Sequence, residues 1–377
     1  MLSKNYKYIF TFFSFIIISN IYAQNKTDYK IKIISELKPS NEHYSTFQNN
    51  YPRLHNIEID NNGNTYMVDR RRKSILKFDE QFSYVKTIGR HGQGPGEFPN
   101  SPSSIAFLND KMFVLDYSGR ISIFDHSSKQ KDKFIRFTQS SEISGDKGIT
   151  IERIKTNQDN IYLQSMTFRE NKQKKFMEFG NSVYSSDNDL KLGKEIVSNL
   201  REYNPRNMES EKKDLIYVVK KNGNILVSKY SKKEFLIYEY DKLGKKIRTI
   251  RKNYAIKKRD SKHVNEINKS NERKAASHST INKRYKFEKY SEYKTVINQM
   301  FLDKDENLWV GVEESFLNSN FQIFDIFDNN GEFIKRVEIP ELKGMLLKNS
   351  SDKIIAITSE GFDSENGLEV IVLEISL

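Results

Sequence analysis

Cysteine is absent from the 377 residues, which excludes disulfides, thiol catalysis, every thiolate metal site and lipid attachment through an N-terminal cysteine. Proline (7) and glycine (17) are too sparse for a long low-complexity linker. Alanine is scarce and helix-rich patterning with it, whereas the 20 Tyr, 25 Phe and many Ile favour pleated, half-buried strands. No stretch after the first two dozen residues approaches the roughly 20 apolar residues that a membrane helix needs. Also missing are a Gly-x-Ser-x-Gly elbow, a phosphate-binding Walker loop, a dinucleotide fingerprint, a His-Glu-x-x-His run and a sialidase-type Asp-box. No catalytic set and no cofactor is expected on these grounds.

What is present begins with an export signal. Lys4 and Lys7 precede the apolar stretch Tyr8 to Ile18, and Ile21-Tyr22-Ala23 ends in a small residue suited to cleavage before Gln24. An apolar core of about ten residues is too short to anchor, so residues 1–23 are read as a signal peptide and the mature chain as periplasmic or extracellular.

From Arg53 onward one unit recurs six times: an apolar run, a polar turn, a second run ending near Asp or Ser, another turn and further strand-like runs. The first copy reads HNIEIDNNGNTYMVDRRRKSILKFDEQFSYVKTIG and the second SIAFLNDKMFVLDYSGRISIFD; looser copies begin near Thr150, Leu215, Val296 and Gly344. A repeat of roughly 40–50 residues with four short strands denotes a β-propeller blade, because one small twisted sheet must stack on neighbours to bury its faces. The expectation is an all-β, six-bladed propeller with four-stranded antiparallel blades at 53–89, 102–137, 149–197, 214–250, 296–340 and 344–377, forming one domain over 24–377. The last copy has only three strands, and YKIKIISEL at 29–37 is left over, so this segment is expected to close the ring as the outer strand of the final blade, burying Ile31, Ile33 and Leu37.

The net charge of +12 is local: residues 1–23 carry +2 and residues 251–295 carry +9, from 14 Lys and Arg against five Asp and Glu, leaving +1 for the rest. A basic insertion before the fifth blade, read as a mobile loop or short exposed helix, can make weak contact with an anionic surface. Export and the lack of any finger, helix-turn-helix or RNA-binding sheet argue against nucleic acid. Asn61 to Asn64, Asn222-Gly223, Asp303 to Asn307 and Asp328 to Gly331 are read as hairpin turns. Asp305 and Asn307 alternate like calcium ligands, but the loop lacks the glycine and distal glutamate of a calcium site.

The segment IGRHGQGPGEFPNSPSSIAF, residues 88–107, resembles the blade-linking motif of NHL-repeat and related six-bladed propellers, with Gly92, Gly94, Pro95, Gly96, Glu97 and Phe98 matching. Only the first two repeats match strongly. With the export signal, the whole mature chain looks like the exported six-bladed propellers of Bacteroidetes-type bacteria, a resemblance that implies architecture more than chemistry. Propellers usually bind at the channel mouth on the face of blade links and second-to-third-strand turns. That face is expected to carry Asp69, Arg70, Arg71, Arg72, Arg90, His91, Gln93, Asp116, Tyr117, Arg120 and Arg169. The aspartates read as strand caps, and the arginines, His91, Gln93 and Tyr117 as contacts for a carboxylate, sugar or peptide carbonyl. The leading function is a noncatalytic platform in the bacterial envelope, binding a protein, peptide or carbohydrate. The alternative is a metal-assisted hydrolase or lyase of sugar lactone or uronate-like substrates with its ion on the channel axis. The histidines (His43, His55, His91, His126, His263, His278) lack metal-ligand spacing, although a ring can assemble ligands from distant residues.

Overall fold

A computed structural model describes residues 29–38, 56–126, 133–144, 148–157, 159–209, 215–278, 286–312, 321–342, 345–350, 353–358 and 370–377. The export segment and His43 and His55 lie outside the described residues.

Six four-stranded antiparallel sheets follow one another along the chain. Blade 1 consists of β2 (Ile57–Ile59), β3 (Thr65–Asp69), β4 (Ser74–Phe78) and β5 (Tyr84–Ile88), and blade 2 of β6 (Pro102–Leu108), β7 (Lys111–Asp116), β8 (Arg120–Asp125) and β9 (Lys133–Gln139). Blade 3 has the longest strands, β10 (Ile149–Asn157), β11 (Asn160–Asn171), β12 (Phe176–Ser186) and β13 (Leu192–Glu202). Blade 4 is β15 (Ile216–Val219), β16 (Ile225–Ser228), β17 (Phe235–Tyr240) and β18 (Lys246–Lys252), and blade 5 is β20 (Ile297–Leu302), β21 (Leu308–Val312), β22 (Gln322–Phe327) and β23 (Phe333–Ile339). Blade 6 takes β24 (Met345–Ser350), β25 (Lys353–Thr358) and β26 (Val370–Ser376) from the C-terminal region and β1 (Lys30–Leu37) from the N-terminal region.

Among the described residues no blade has a core of its own. The buried side chains fall into six clusters, each shared by two consecutive blades, and one of them joins blade 6 to blade 1 through Leu37, Ile355, Ile357, Val370 and Val372 against Ile57, Ile59, Met67, Leu76, Phe78 and Phe82. That sixth interface makes the array a ring.

Pairing of β1 with β26 runs from Lys30 opposite Ser376 to Leu37 opposite Val370 and is interrupted by a bulge between Ile33 and Ser35. The bulge corrects one expectation. An extra residue shifts the side-chain alternation by one, so Leu37, 2% exposed, packs with Ile34 against the core shared with blade 1 while Ile31 packs against the core shared with blade 5; Ile33, on the face of Ile31 and opposite Leu373, is 57% exposed rather than buried. Tyr29 is buried as well and donates its hydroxyl to Glu341 Oε2 at 3.2 Å. Burial, with the adjacent Glu341 charge, pushes that hydroxyl up to about 12, so it stays a donor throughout the physiological range.

Seven hairpins close with one five-residue turn, at 60–64, 79–83, 187–191, 220–224, 241–245, 303–307 and 328–332. The fourth residue donates its N–H to the first carbonyl, and the first donates to the fifth. The fourth position has positive φ in all seven, filled by Gly63, Gly223, Gly244 and Gly331 but also by Phe82, Leu190 and Glu306. In six turns the first residue is Asp, whose Oδ1 accepts the N–H groups of the third and fifth residues. The carboxylate thus satisfies donors that the reversing chain leaves over. Asp303 spends its other oxygen on Asn307 Nδ2 and Trp309 Nε1, both within 3.0 Å, which is structural use of the loop that alternates like a calcium site.

Blade 4 starts its turn with Lys220 instead. Its ammonium is buried beside the buried Glu239 (3.4 Å) and also donates to the Asn329 carbonyl of blade 5. Glu239 further accepts from Asn224 Nδ2 at 2.9 Å and from Arg248. Burial works to raise the Glu239 pKa, but these hydrogen bonds and the two cations together hold it below the usual carboxylate range. A parallel latch joins the same blades outside the apolar layer: buried Asp325 accepts from Arg336 at 2.7 and 3.0 Å and pairs with Lys252 of blade 4 at 2.9 Å.

The insertion takes the helical alternative, at greater length than a short helix. It contains an 18-residue helix, α2 (Ser261–His278), the only long one among the described residues; α1 (Ser140–Ser144) is a single turn. Asp260 caps α2 by accepting the N–H of His263, and Val264, Asn271 and Ala275 form its buried stripe. The chain then returns along the helix, where Tyr290 N–H donates to Asn268 Oδ1 at 2.7 Å, and β19 (Lys286–Phe287) pairs in parallel with β14 (Asn207–Met208) of the preceding blade link. No helix among the described residues is long and apolar enough to cross a membrane.

Two predictions concern the ring. Leu37→Ala is expected to cost about 2–5 kcal/mol in denaturant unfolding, whereas Ile33→Ala stays within about 0.5 kcal/mol; a chain starting at Asn41, lacking β1, should aggregate or melt far lower. Glu239→Gln strands a buried lysine and is expected to cost about 3–5 kcal/mol at neutral pH. Because the folded-state pKa of Glu239 is depressed, the stability it contributes is complete above the unfolded value near 4.3 and disappears as pH falls through the folded value. The difference between wild type and Glu239→Gln should therefore shrink on acidification in a pH series of unfolding curves.

Candidate functional site

Antiparallel pairing sends the first-to-second and third-to-fourth strand turns to one end of the ring, the turn face. Second-to-third turns and blade links emerge at the other, the linker face. The link 89–101 between blades 1 and 2 is built on its own motif. Phe98 is fully buried against Phe124, ring centroids 6.1 Å apart, and its N–H donates to the Arg90 carbonyl at 2.8 Å. Gly89 sits at φ +71° with the Phe98 ring where a side chain would be, 2.3 Å from an added Cβ. The Glu97 carboxylate accepts from Gly94 N–H at 2.9 Å and Arg90 Nε at 2.7 Å, and these bonds, the backbone one first, hold it below the usual range. The glycines, Glu97 and Phe98 therefore serve the link's own geometry.

Both blades brace this link. Lys73 Nζ donates to the Pro99 carbonyl at 2.8 Å. Arg120 lies over the Phe137 ring at 3.9 Å and points at the Gln93 and Gly94 carbonyls, each 3.4 Å away. Arg120 is only 4% exposed, so it supports the loop from beneath and offers no contact surface. Asp69 and Asp116 are buried turn caps: Asp69 Oδ1 accepts from Arg71 and Arg72 N–H, and Asp116 Oδ1 from Ser118 and Arg120 N–H.

On that support stand the accessible candidates, Arg70 half-buried and the others exposed. Arg70 reaches over the Tyr117 ring at 5.5 Å, Tyr117 is 52% exposed, and Tyr117 N–H donates to the Ser101 carbonyl at 3.1 Å, so turns from blades 1 and 2 and the link between them meet. Arg71 and Arg72 are exposed, with Arg72 Nη1 3.4 Å from Asp69 Oδ2. Arg90, His91 and Gln93 are exposed along the link, Arg90 already paired with Glu97. Arg169 belongs elsewhere: it is in blade 3, paired with Glu195 at 3.0 Å. A cavity of about 180 Å³ on the turn face, lined by Leu108, Asp110, Lys111, Phe113 and Asn188, lies apart from all of these.

The central channel holds a second concentration of charge that was not singled out from the sequence. Glu58 of β2 accepts from Lys348 Nζ of β24 at 2.8 Å and from Ser350 Oγ. Lys155 of β10 donates to the Tyr217 carbonyl at 3.0 Å with its ammonium 4.0 Å from the Tyr217 ring centre. Part of its surface opens on the channel, yet the walls enclose it; burial first, then repulsion from Arg153 and Lys348, push its pKa down to about 7 against the pull of Glu58. The signal in the sequence is a charge interrupting an apolar inner strand, as in IEI, ITIERIKTN and MLLKNS. Among the described residues no three His, Cys, Asp or Glu side chains converge on a metal-sized site.

Fold and site together define the class: a six-bladed β-propeller with a basic channel and a linker face rich in arginine. No family model and no curated protein sequence matches the chain. Among solved structures it is similar to a protein described as exported from Bacteroides fragilis NCTC 9343 (12% identity, 93% of this chain and 95% of that one, TM-score 0.48). It is also similar to a member of the DUF4221 family from Bacteroides vulgatus ATCC 8482 (12% identity, 93% and 99%, TM-score 0.49). A third is regucalcin, a calcium-binding protein from Agrobacterium tumefaciens strain C58 (10% identity, 86% and 92%, TM-score 0.43). The architecture itself rests on the six sheets and their shared cores.

Phe98→Ala empties a fully buried ring position under the link and is expected to cost about 3–5 kcal/mol in thermal or denaturant unfolding. His91→Ala, on the exposed side of the same loop, should leave stability within about 0.5 kcal/mol.

Proposed function

We infer that the protein is an exported, noncatalytic propeller of the bacterial envelope that presents its linker face to a peptide, carbohydrate or protein partner. The observation that carries this reading is the contrast at the junction of blades 1 and 2, where exposed Tyr117, Arg90, His91 and Gln93 and half-buried Arg70 stand on buried aspartate-capped turns and a self-bonded link. Such mounting limits the entropy lost when a partner binds. An aromatic ring beside guanidinium groups suits carboxylates, sugars and peptide carbonyls through stacking and forked hydrogen bonds. The basic insertion belongs to the same face and adds attraction for an anionic partner over roughly a Debye length, about 8–10 Å at physiological salt. Export is supported by the Lys4, Lys7 and Tyr8 to Ala23 pattern.

A metal-assisted hydrolase or lyase would need an electron-rich channel axis. The charged side chains of the innermost strands there are Arg153, Lys155 and Lys348 against Glu58 and Glu152, and both carboxylates are engaged, by Lys348 and by Asn181, which disfavours a divalent cation. The ring is accordingly a better holder of anions than of metal ions.

Purified protein from the periplasm or medium is expected to begin at Gln24 on N-terminal sequencing. On arrays of acidic peptides and uronate-bearing oligosaccharides it should show saturable binding, weakened about tenfold or more by Arg70→Ala with Tyr117→Ala at unchanged melting temperature. Cytoplasmic retention, absence of binding on both arrays, or turnover of any arrayed compound would overturn the reading.

A further inference from the structure

The gap between blades 3 and 4 contains polar groups that the fold itself does not use. Arg153 stands opposite Gln164 across β10 and β11, and Lys155 opposite Tyr162, so all four side chains share the side of blade 3 that faces Tyr217 of blade 4. Gln164 is 1% exposed, and neither of its amide atoms has a hydrogen-bond partner among the described residues. Tyr217, 4% exposed, leaves its hydroxyl without a partner too, within electrostatic reach of Arg153. Buried polar groups are nearly always satisfied, and each orphan carries a desolvation cost. The charges point the same way. Glu58, the carboxylate acting on Lys155, is engaged by Lys348 and Ser350, and Glu152 of the same strand as Arg153 accepts from Asn181 Nδ2 at 3.1 Å, so both nearby carboxylates already have partners.

We propose that this wedge, opening on the central channel, is a binding site for a small hydroxy-carboxylate of the sugar-acid class, with Arg153 and Lys155 holding the carboxylate and Gln164 and the Tyr217 hydroxyl bonding the ligand's hydroxyls. A planar guanidinium matches a carboxylate edge, the ammonium adds a point charge, and an amide together with a phenol can both give and receive hydrogen bonds. The site is independent of the linker face. It takes up a proton with its ligand: the groups around the Lys155 amine are Arg153 on its own strand, Lys348 on β24, Glu58 on β2, Tyr162 on β11 and Tyr217 on β15, and an added carboxylate offsets the repulsion among the cations. Affinity should therefore rise as pH falls through about 7.

Isothermal titration calorimetry of the full mature chain with glucuronate, galacturonate and gluconate, and with glucose as uncharged control, tests this. Expected is saturable binding of at least one acid in preference to glucose, with heats that depend on buffer ionisation near pH 7.5. Arg153→Gln should weaken it about tenfold or more and Tyr217→Phe about threefold to tenfold. Tyr217→Phe removes an unpartnered hydroxyl, so its melting temperature should equal or exceed that of wild type, which separates lost binding from lost folding. The rim variants Arg70→Ala and Tyr117→Ala should leave this affinity unchanged, so that failure here and failure of the linker-face reading are told apart. No binding at millimolar acid, equal binding of glucose, indifference to both wedge variants, or a crystal soaked with the acid showing only water on Gln164 and Tyr217 would each overturn the proposal.

Discussion

The rest of the structure depends on one constraint: a small twisted sheet with two apolar faces cannot exist alone. Each blade buries one face against the blade before it and the other against the blade after it, and six mixed cores result. A linear stack would leave two apolar faces open to water. Closing the stack into a ring removes both, and the antiparallel pairing of β1 with β26 supplies the closure by making one sheet from residues at opposite ends of the chain. The order of the ring is therefore cooperative, because weakening the joint at Leu37 exposes the faces of blades 6 and 1 together.

Buried charge supplements apolar packing at one interface. Blades 4 and 5 carry the buried Glu239–Lys220–Arg248 cluster and the Asp325–Arg336–Lys252 cluster, both reaching across the interface. Such groups add directional contacts to a shape-driven interface, though burying charge is costly unless every partner is present. The turns follow the same economy of unsatisfied groups. Aspartate at the first position binds the N–H groups freed by the reversing chain, and where Lys220 replaces it, Asn222 Oδ1 takes the Asn224 N–H instead.

The proposed sites fall on the places this economy leaves unfinished. On the linker face Arg70, Tyr117, His91 and Gln93 are held by a buried scaffold and have surface to spare. Between blades 3 and 4 the Gln164 amide and the Tyr217 hydroxyl are buried without partners among the described residues. The two regions differ in chemistry, one a broad exposed rim and the other a narrow polar wedge.

The period of apolar runs and turn residues by itself determined the all-β class, the six blades and the leftover strand, because strand patterning and turn chemistry are local. The Gly-Pro-Gly-Glu-Phe run likewise announced a link whose glycines and phenylalanine serve geometry. Side-chain facing and convergence were decided only in three dimensions. A single bulge at Ile34 put Leu37 on the face opposite Ile31 and Ile33, and Arg120, indistinguishable in sequence from its exposed neighbours, lies beneath the loop it was expected to crown. The polar insertion became a helix because Asp260 caps it and the returning chain covers the stripe from Val264 to Ala275, a contact between segments that no local pattern encodes. Glu58, the Arg153–Lys155 pair and Lys348 lie far apart along the chain and meet because a ring brings every innermost strand to one axis.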